Sequence, residues 1–122
     1  MSRQTVKAST IVGTHVENWD GEHLGVISEV MINKMHGEVA YLVLSYPGEY
    51  GPEWLNKRFA VPFESIAMKP VGYEVEYILN VDEDFLRKAP GFPIEQWPDF
   101  ADEKFNSVLT DYYKDVSVDL RV

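Results

Sequence analysis

The fold of this chain is indicated first by the stretch Asp20-Gly21-Glu22-His23-Leu24-Gly25. Asp-Gly is a typical tight-turn pair, because glycine adopts the positive φ angle that a short hairpin requires. The residues before the turn, Thr10 to Glu17, are rich in β-branched side chains and predict a strand. The residues after it, Leu24 to Asn33, carry apolar side chains on both faces. A strand covered on both faces is typical of a small barrel, so the stretch predicts a barrel hairpin.

Four more strands are expected beyond this hairpin. They are Glu38–Tyr46, Lys57–Phe63, Ile66–Lys69 and Tyr73–Val81. The last of them alternates apolar and polar side chains with a period of two, as in a strand with one buried and one wet face. Turn residues separate the strands, and residues 1–8 precede them as a short arm.

A short helix is expected after Asn80. The acidic run Asp82-Glu83-Asp84 precedes Phe85 to Ala89, and acidic residues stabilise the start of a helix through its dipole. The three carboxylates would also suit a hard cation, but they lack the spacing of a calcium-binding loop. The start of a helix accounts for all three, so that interpretation is favoured.

A second helix is predicted from about Asp99 to Lys114, with Asp99 as its N-cap. Its apolar residues have the spacing of one helical face. They are Phe105, Val108, Leu109 and Tyr112. The residues from Asp115 to Val122 alternate apolar and polar side chains, which is the pattern of an edge strand.

The chain is acidic, and the acidity is uneven. Its 122 residues carry a formal net charge of −9. Residues 74–122 hold 12 acidic and 5 basic side chains, a net charge of −7. Non-specific affinity for nucleic acid comes mainly from lysine and arginine at the phosphates. The charge therefore disfavours nucleic acids and anionic membranes as partners.

Composition narrows the class of protein further. A chain of this length is expected to form one domain. It contains no cysteine, which excludes disulfides, thiolate catalysis and cysteine-ligated metals. It has no run of about 18 apolar residues to span a bilayer, and its N-terminus lacks the apolar core of a secretory signal. We therefore expect a cytoplasmic protein without membrane insertion.

Five segments occur in an order that resembles a known family. They are Val12–Val16, Asp20–Gly25, Gly37–Tyr41, Ala60–Phe63 and Ala89–Phe92. Together they resemble the PRC-barrel domain, which is named for the cytoplasmic domain of the photosynthetic reaction centre H subunit. A ribosome maturation factor carries the same domain at its C-terminus. The tail from Pro98 through Tyr112-Tyr113 is similar to the helical extension of free-standing bacterial members.

The resemblance implies a mainly β protein, with a small six-stranded PRC-type barrel and a short helix over residues 8–95. Residues 96–122 would form a helical C-terminal extension that packs on the barrel. The family has no common catalytic residues, so the resemblance implies a non-enzymatic adaptor that binds a protein partner or itself. We expect no catalytic residue, cofactor or metal.

The ribosome-associated relatives leave a second hypothesis open. On this hypothesis the chain is an RNA-associated or small-ligand-binding module. The sign of RNA binding would be a basic patch formed by Lys57, Arg58, Arg87 and Lys88. The acidic excess fits a ribosomal partner poorly, so the protein-binding adaptor remains the first hypothesis.

The titratable residues show no catalytic spacing. The histidines, His15, His23 and His36, lie in or beside turns, and none has the i, i+4 helical spacing of a metal site. Surface histidines are therefore favoured, whereas convergence of the three at one end of the barrel would favour a metal site. Asp20 and Glu22 beside His23 suggest acid–base chemistry, but the turn accounts for them. No nucleophile or oxyanion site accompanies them.

Aromatic residues are the best interaction candidates, because they are enriched at binding hot spots. The candidates are Tyr50 and Trp54 in the loop of residues 47–56, and Trp97, Tyr112 and Tyr113 in the tail. Each of them has two interpretations, since it either binds a partner or covers the chain's own barrel. For the tail, packing on its own barrel is the first expectation, and a homodimer formed by exchange is the second.

Overall fold

Seven strands and three helices make up the described part of the chain. The structure, a computed structural model, describes residues 6–45, 57–93, 95–116 and 118. The strands are β1 His15–Glu17, β2 His23–Asn33, β3 Glu38–Ser45, β4 Lys57–Pro62, β5 Ala67–Val71, β6 Glu74–Ile78 and β7 Phe92–Pro93. The helices are α1 Ala8–Ile11, α2 Glu83–Arg87 and α3 Glu103–Tyr113, with a 3₁₀ turn at Phe63–Ser65.

The strands form one sheet in the order β5-β6-β1-β2-β3-β4-β7. Neighbours are antiparallel except for β1 and β6, which are parallel. The protein is therefore mainly β, as predicted. The six-stranded barrel is not confirmed, because the sheet has seven strands and its edge strands β5 and β7 are not paired with each other in the described ranges. The seventh strand arises where Phe92 pairs with Arg58, and it ends at Pro93, which has no backbone donor.

Strand β2 is irregular in a way that its sequence pattern does not reveal. Its register against β3 shifts between Ile27 and Glu29 and again between Met31 and Ile32. A bulge moves the following side chains to the other face of the sheet, so strict alternation fails. The first half of β2 is covered on both faces, as predicted, whereas its last two residues are exposed. The hairpin between β2 and β3 therefore projects from the core.

Gly21 in the first turn and Gly25 in β2 have separate roles. Gly21 has a φ of 81°, which the turn requires and which most side chains disfavour. At Gly25, a Cβ atom would lie 2.9 Å from the carbonyl O of Ser45, so a side chain would push β2 away from the end of β3.

The segment before β1 contains a helical turn, where β-branched residues predicted a strand from Thr10. The hydroxyl of Thr10 donates to the carbonyl O of Lys7 at 2.7 Å, and that of Thr14 donates to the carbonyl O of Thr10 at 2.8 Å. Such bonds offer the backbone an alternative to sheet pairing, which explains α1. Gly13 then has a φ of 93°, and its backbone N donates to the carbonyl O of Ile27 at 2.7 Å, so the first contact with β2 comes just before β1.

The acidic run after β6 begins a helix, as predicted. Asp82 is the N-cap of α2, and its Oδ1 accepts a hydrogen bond from the backbone N of Phe85 at 2.7 Å. Glu83 and Asp84 occupy the first turn, and Arg87 lies in the last, where each charge suits the helix dipole. The helix begins at Glu83, two residues before its predicted start.

The predicted start of α3 is wrong by four residues. Asp102 caps the helix by accepting a hydrogen bond from the backbone N of Lys104 at 2.9 Å. Asp99 accepts instead from the backbone N of Ala101 at 2.9 Å, in the turn before the helix. Both aspartates have capping geometry, and sequence alone did not separate them.

The buried face of α3 also differs from the predicted stripe. Leu109 and Tyr113 are fully buried, Phe105 and Tyr112 are partly buried, and Val108 is 48% exposed. In the predicted edge strand, residues 115, 116 and 118 are described and lie in no strand, while residues 117 and 119–122 lie outside the described part. None of the helices in the described ranges is long and apolar enough to cross a bilayer.

One hydrophobic core joins the sheet to the helices. Its largest fully buried side chains include Leu24, Leu42, Leu44, Phe59, Leu79, Leu86, Leu109 and Tyr113. Three successive residues of β3, Leu42 to Leu44, are buried, so both faces of this strand are covered. Burying one such aliphatic side chain stabilises a fold by about 1.5–3 kcal/mol. Leu109 and Tyr113 make α3 part of this core.

Asn18 ties the turn between β1 and β2 to distant parts of the chain. Its buried Oδ1 accepts hydrogen bonds from the backbone N of Asp20 at 3.0 Å and of Glu22 at 2.9 Å. Its Nδ2 donates to the carbonyl O of Val81 at 3.0 Å and to Glu22 Oε1 at 3.2 Å. Glu22 Oε1 also accepts from the backbone N of Glu83 at 2.9 Å. The hairpin is thereby fastened to the segment after β6 and to α2.

Replacing Asn18 is expected to destabilise the protein strongly. Asn18→Ala removes the hydrogen bonds of a buried amide to the backbone N of Asp20 and Glu22 and to the carbonyl O of Val81, and should lower the free energy of unfolding by about 3 kcal/mol. Asn18→Asp keeps the acceptor but removes the donor to Val81 and sets a carboxylate against Glu22, so it should also destabilise. Chemical denaturation followed by circular dichroism measures both variants.

Asn33→Ala is the matched control for Asn18→Ala. Asn33 also accepts a backbone hydrogen bond in a turn, from the N of Met35 at 2.9 Å, but it is exposed. Its loss should cost less than about 1 kcal/mol. Equal destabilisation by the two alanine variants would contradict the central role of Asn18.

Candidate interaction groove

A groove opens between the β2–β3 hairpin, the 3₁₀ turn after β4 and the start of α3. Its lining comprises Met31–Met35, Glu38–Tyr41, Pro62–Glu64, Asp99–Ala101, Glu103, Asn106 and Thr110. The bulged end of β2, whose last two residues are exposed, forms one wall. The other wall comes from the chain after residue 98. We call this surface the hairpin–helix groove.

Two aromatic residues, Tyr41 and Phe100, form the floor of the groove and are linked through Asn106. The hydroxyl of Tyr41 donates to Asn106 Oδ1 at 2.6 Å, and Asn106 Nδ2 donates to the carbonyl O of Phe100 at 3.0 Å. The rings of Tyr41 and Phe100 lie 5.6 Å apart between centroids. Burial raises the pKa of Tyr41 above its ordinary value, and Glu64 raises it further. Tyr41 therefore stays a neutral donor that holds α3 against β3.

The rim of the groove is apolar and exposed on the hairpin side. Met35 is 87% exposed at the turn, and Ile32 is 53% exposed at the end of β2. Neighbouring exposed apolar residues beside a groove are typical of a surface that binds a partner. Methionine also adapts its shape readily, because its unbranched side chain has several rotatable bonds.

The charged groups of the groove are mostly acidic. Its lining includes four carboxylates, from Glu38, Glu64, Asp99 and Glu103, and one lysine, Lys34. All five side chains belong to exposed residues. A concave surface lined by one sign of charge attracts the opposite charge. The groove therefore offers apolar contact surrounded by negative potential.

The aromatic residues predicted from the sequence occupy three different settings. Tyr50 and Trp54 lie outside the described residues. Trp97 is 40% exposed, and its ring lies 4.9 Å from that of Phe92 and 6.2 Å from that of Phe100. Because Phe100 lies on the floor of the groove, Trp97 stands beside the groove with part of its surface available.

Tyr112 and Tyr113 face their own chain. The hydroxyl of Tyr112 donates to the carbonyl O of Phe85 at 2.5 Å, and the two rings lie 4.5 Å apart. Tyr113 is 1% exposed, and its hydroxyl has no hydrogen-bond partner among the described residues. Both tyrosines attach α3 to the region of α2, and Tyr113 has no surface to offer a partner in this conformation.

The histidines separate into a pair and a single residue. His15 Nδ1 and His23 Nε2 lie 2.5 Å apart, across β1 and β2. His36 lies in the turn of the other hairpin, so the three do not converge. No group of three histidine, aspartate or glutamate residues that suits a metal ion occurs within the described ranges. Of the residues beside His23, Glu22 uses its carboxylate in the Asn18 network.

Sequence reasoning missed the groove itself. The segment Lys34-Met35-His36-Gly37 has the pattern of a turn between two strands, because its other residues are polar or small and Met35 stands alone among them. A methionine within this turn segment is the local signal that the sequence offers. Contact between residues 41 and 106 depends on tertiary structure, which no local pattern indicates.

Comparison with known families agrees with the architecture. The family model described as the PRC-barrel domain matches residues 3–84. The resemblance seen in the ordered sequence segments is therefore confirmed. The match ends inside α2, so the wall of the groove formed by residues 99–110 lies beyond it. No curated protein matches the chain.

Removing one hydroxyl from each adjacent tyrosine is expected to have opposite effects. Tyr112→Phe loses the hydrogen bond to Phe85 and should lower the free energy of unfolding by about 1 kcal/mol. Tyr113→Phe removes a buried hydroxyl without a described partner, so stability should be unchanged or higher by up to about 1 kcal/mol. Urea denaturation compares the two. A loss in Tyr113→Phe as large as that in Tyr112→Phe would contradict the assignment.

The protein should lose stability in alkali above about pH 10. Burial, and to a smaller extent Tyr112, raise the pKa of Tyr113 above the value of an unfolded tyrosine. The unfolded chain then releases its proton first, so unfolding becomes more favourable as the pH rises through this range. Urea midpoints measured from pH 8 upward should fall less in Tyr113→Phe than in the wild type. Parallel curves would contradict this role of Tyr113.

Proposed function

The chain belongs to the PRC-barrel domain family, and we propose that it is a non-catalytic interaction module that binds a protein partner through the hairpin–helix groove. The main support is one observation: exposed Met35 and Ile32 stand at the rim of a groove whose floor is aromatic. Exposed apolar residues cost solubility, and their clustering at a concave surface is typical of a binding site.

The charge of the groove defines the chemistry of the partner. Four carboxylates and one lysine line it, and the whole chain has a net charge of −9. A partner segment that carries lysine or arginine beside apolar side chains complements both properties. The apolar side chains would contact Met35 and Phe100, and the basic ones would face Glu38, Glu64 and Glu103. Such charge pairs mainly raise the association rate and the selectivity of the complex.

The same proposal assigns structural roles to the residues that first suggested acid–base chemistry. Glu22 accepts hydrogen bonds from Asn18 and from the backbone N of Glu83, and Asp20 belongs to the turn that Asn18 holds. These contacts fix the geometry of a hairpin. They support an adaptor rather than an enzyme.

RNA binding is the weaker alternative. Arg87, one member of the suspected basic patch, forms ion pairs with Glu83 and Asp84 of its own helix. Lys57 Nζ lies 5.2 Å from the centroid of the Phe59 ring. The carboxylates of the groove would repel phosphates. These observations favour a protein partner over a polyanion.

Self-association through the groove is also disfavoured by its charge. A two-fold dimer places the same surface of both copies face to face. Two acidic rims would then repel each other. A homodimer that uses another surface remains a prediction from the sequence.

Lysine substitutions in the groove test the proposal directly. Met35→Lys and Glu103→Lys place a positive charge on the rim and should weaken the binding of a basic partner. Val108→Lys and Asp111→Lys are matched controls, because both residues are exposed on α3 and neither lines the groove. Proteins captured from host lysate by immobilised wild-type protein and each variant are quantified by mass spectrometry. The partner should be lost from the groove variants and kept by the controls.

A purified partner then provides the deciding measurement. Calorimetric titration should show binding at least about tenfold weaker for Met35→Lys, which is about 1.4 kcal/mol, and unchanged for Val108→Lys. Binding to the wild type should also weaken with rising salt. Equal affinities of all four variants for the partner would exclude the groove as the binding site. Light scattering that shows a dimer disrupted by Met35→Lys would identify a second copy as the occupant instead.

A further inference from the structure

Two histidine rings meet on the outer face of the first hairpin. His15 and Glu17 are exposed on either side of buried Val16, and His23 is partly exposed on the neighbouring strand. His15 Nδ1 lies 2.5 Å from His23 Nε2, and the ring centroids are 4.6 Å apart with planes inclined by 45°. The two nitrogens therefore point at each other from a position that solvent reaches.

The backbone holds both histidines in place. Register pairs join Val16 to Gly25 and, after a shift in the register, Glu17 to His23. On the other side of His15, the backbone N of Ile27 donates to the carbonyl O of Thr14 at 2.9 Å. At the turn, the Asn18 network fixes the end of the same hairpin. A site built on two paired strands is better ordered than a site on a loop.

We propose that His15 and His23 bind a divalent late first-row transition metal ion, with zinc as the reference ion. Imidazole nitrogen suits zinc, copper and nickel, and a metal ion between the two rings would replace the direct contact of their nitrogens. Zinc–nitrogen bonds of about 2.0–2.1 Å in tetrahedral geometry separate the nitrogens by about 3.3 Å. Small rotations of the two rings, which move the nitrogen atoms by less than about 1 Å, give that separation.

Water would complete the coordination. No third histidine, aspartate or glutamate joins the pair in the described ranges. Glu17 pairs with His23 in the strand register and is a candidate for an outer hydrogen bond to a metal-bound water. A site with two protein ligands is open to solvent and to a side chain from a partner. It lies on β1 and β2, away from the hairpin–helix groove, and is independent of the proposed function.

Zinc titration of the untagged protein tests this site. Calorimetry should show one zinc ion per chain, and magnesium should not compete, because it prefers oxygen ligands. His15→Gln and His23→Gln should each weaken zinc binding by about tenfold or more, since even the loss of an outer-shell partner has that effect. His36→Gln is the matched control, because it removes the remaining histidine from the turn of the other hairpin, and it should bind zinc as the wild type does.

NMR spectroscopy of the wild-type protein provides a test that stays valid if a variant unfolds. In the wild-type protein, one equivalent of zinc should shift the imidazole resonances of His15 and His23 and leave those of His36 unchanged. The proposal is overturned if zinc does not bind, if it binds equally well to both glutamine variants, or if only His36 responds. In that case the pair is a hydrogen bond between two imidazoles and nothing more.

Discussion

The side chain of Asn18 is the constraint on which the arrangement of this protein depends. Its amide is buried, and it bonds to two backbone nitrogens of its own turn and to a carbonyl that is 63 residues further along the chain. A buried amide needs such partners, because an unsatisfied polar group costs about 1–3 kcal/mol. Through Glu22, the same network reaches the first residue of α2. The hairpin, the parallel pairing of β1 with β6 and the position of α2 are therefore fixed together.

The parts of the fold that could be predicted are those with local causes. Strands β3 and β6 followed from runs and alternation of apolar residues, and α2 followed from acidic residues before an apolar turn. The parts that could not be predicted depend on contacts remote in sequence. The bulges of β2 exist only against β3, β7 exists because Phe92 meets Arg58, and hydroxyl bonds to nearby carbonyls override strand propensity in α1.

The residues of the candidate site also fall into those that the sequence indicates and those that depend on tertiary structure. Aromatic composition drew attention to the tail, yet it did not distinguish Trp97, which is partly exposed, from Tyr113, which is buried. Tyr113 is buried because α3 turns it, together with Leu109, toward the core, whereas Trp97 lies in the segment before that helix. The groove needed tertiary structure as well, because its floor joins Tyr41 to Asn106 across 65 residues. The pairing of His15 with His23 likewise depends on strand register rather than on sequence spacing.

The bond between Tyr41 and Asn106 has a consequence for how such proteins diversify. Tyr41 lies within the segment that matches the family, and Asn106 lies beyond it. One wall of the groove thus belongs to the sheet of the family domain, and the other wall belongs to the C-terminal segment that follows this domain. A different C-terminal segment docked on the same sheet would present a different groove while leaving the strands unchanged. Binding selectivity and the stability of the sheet can then evolve in separate stretches of one chain.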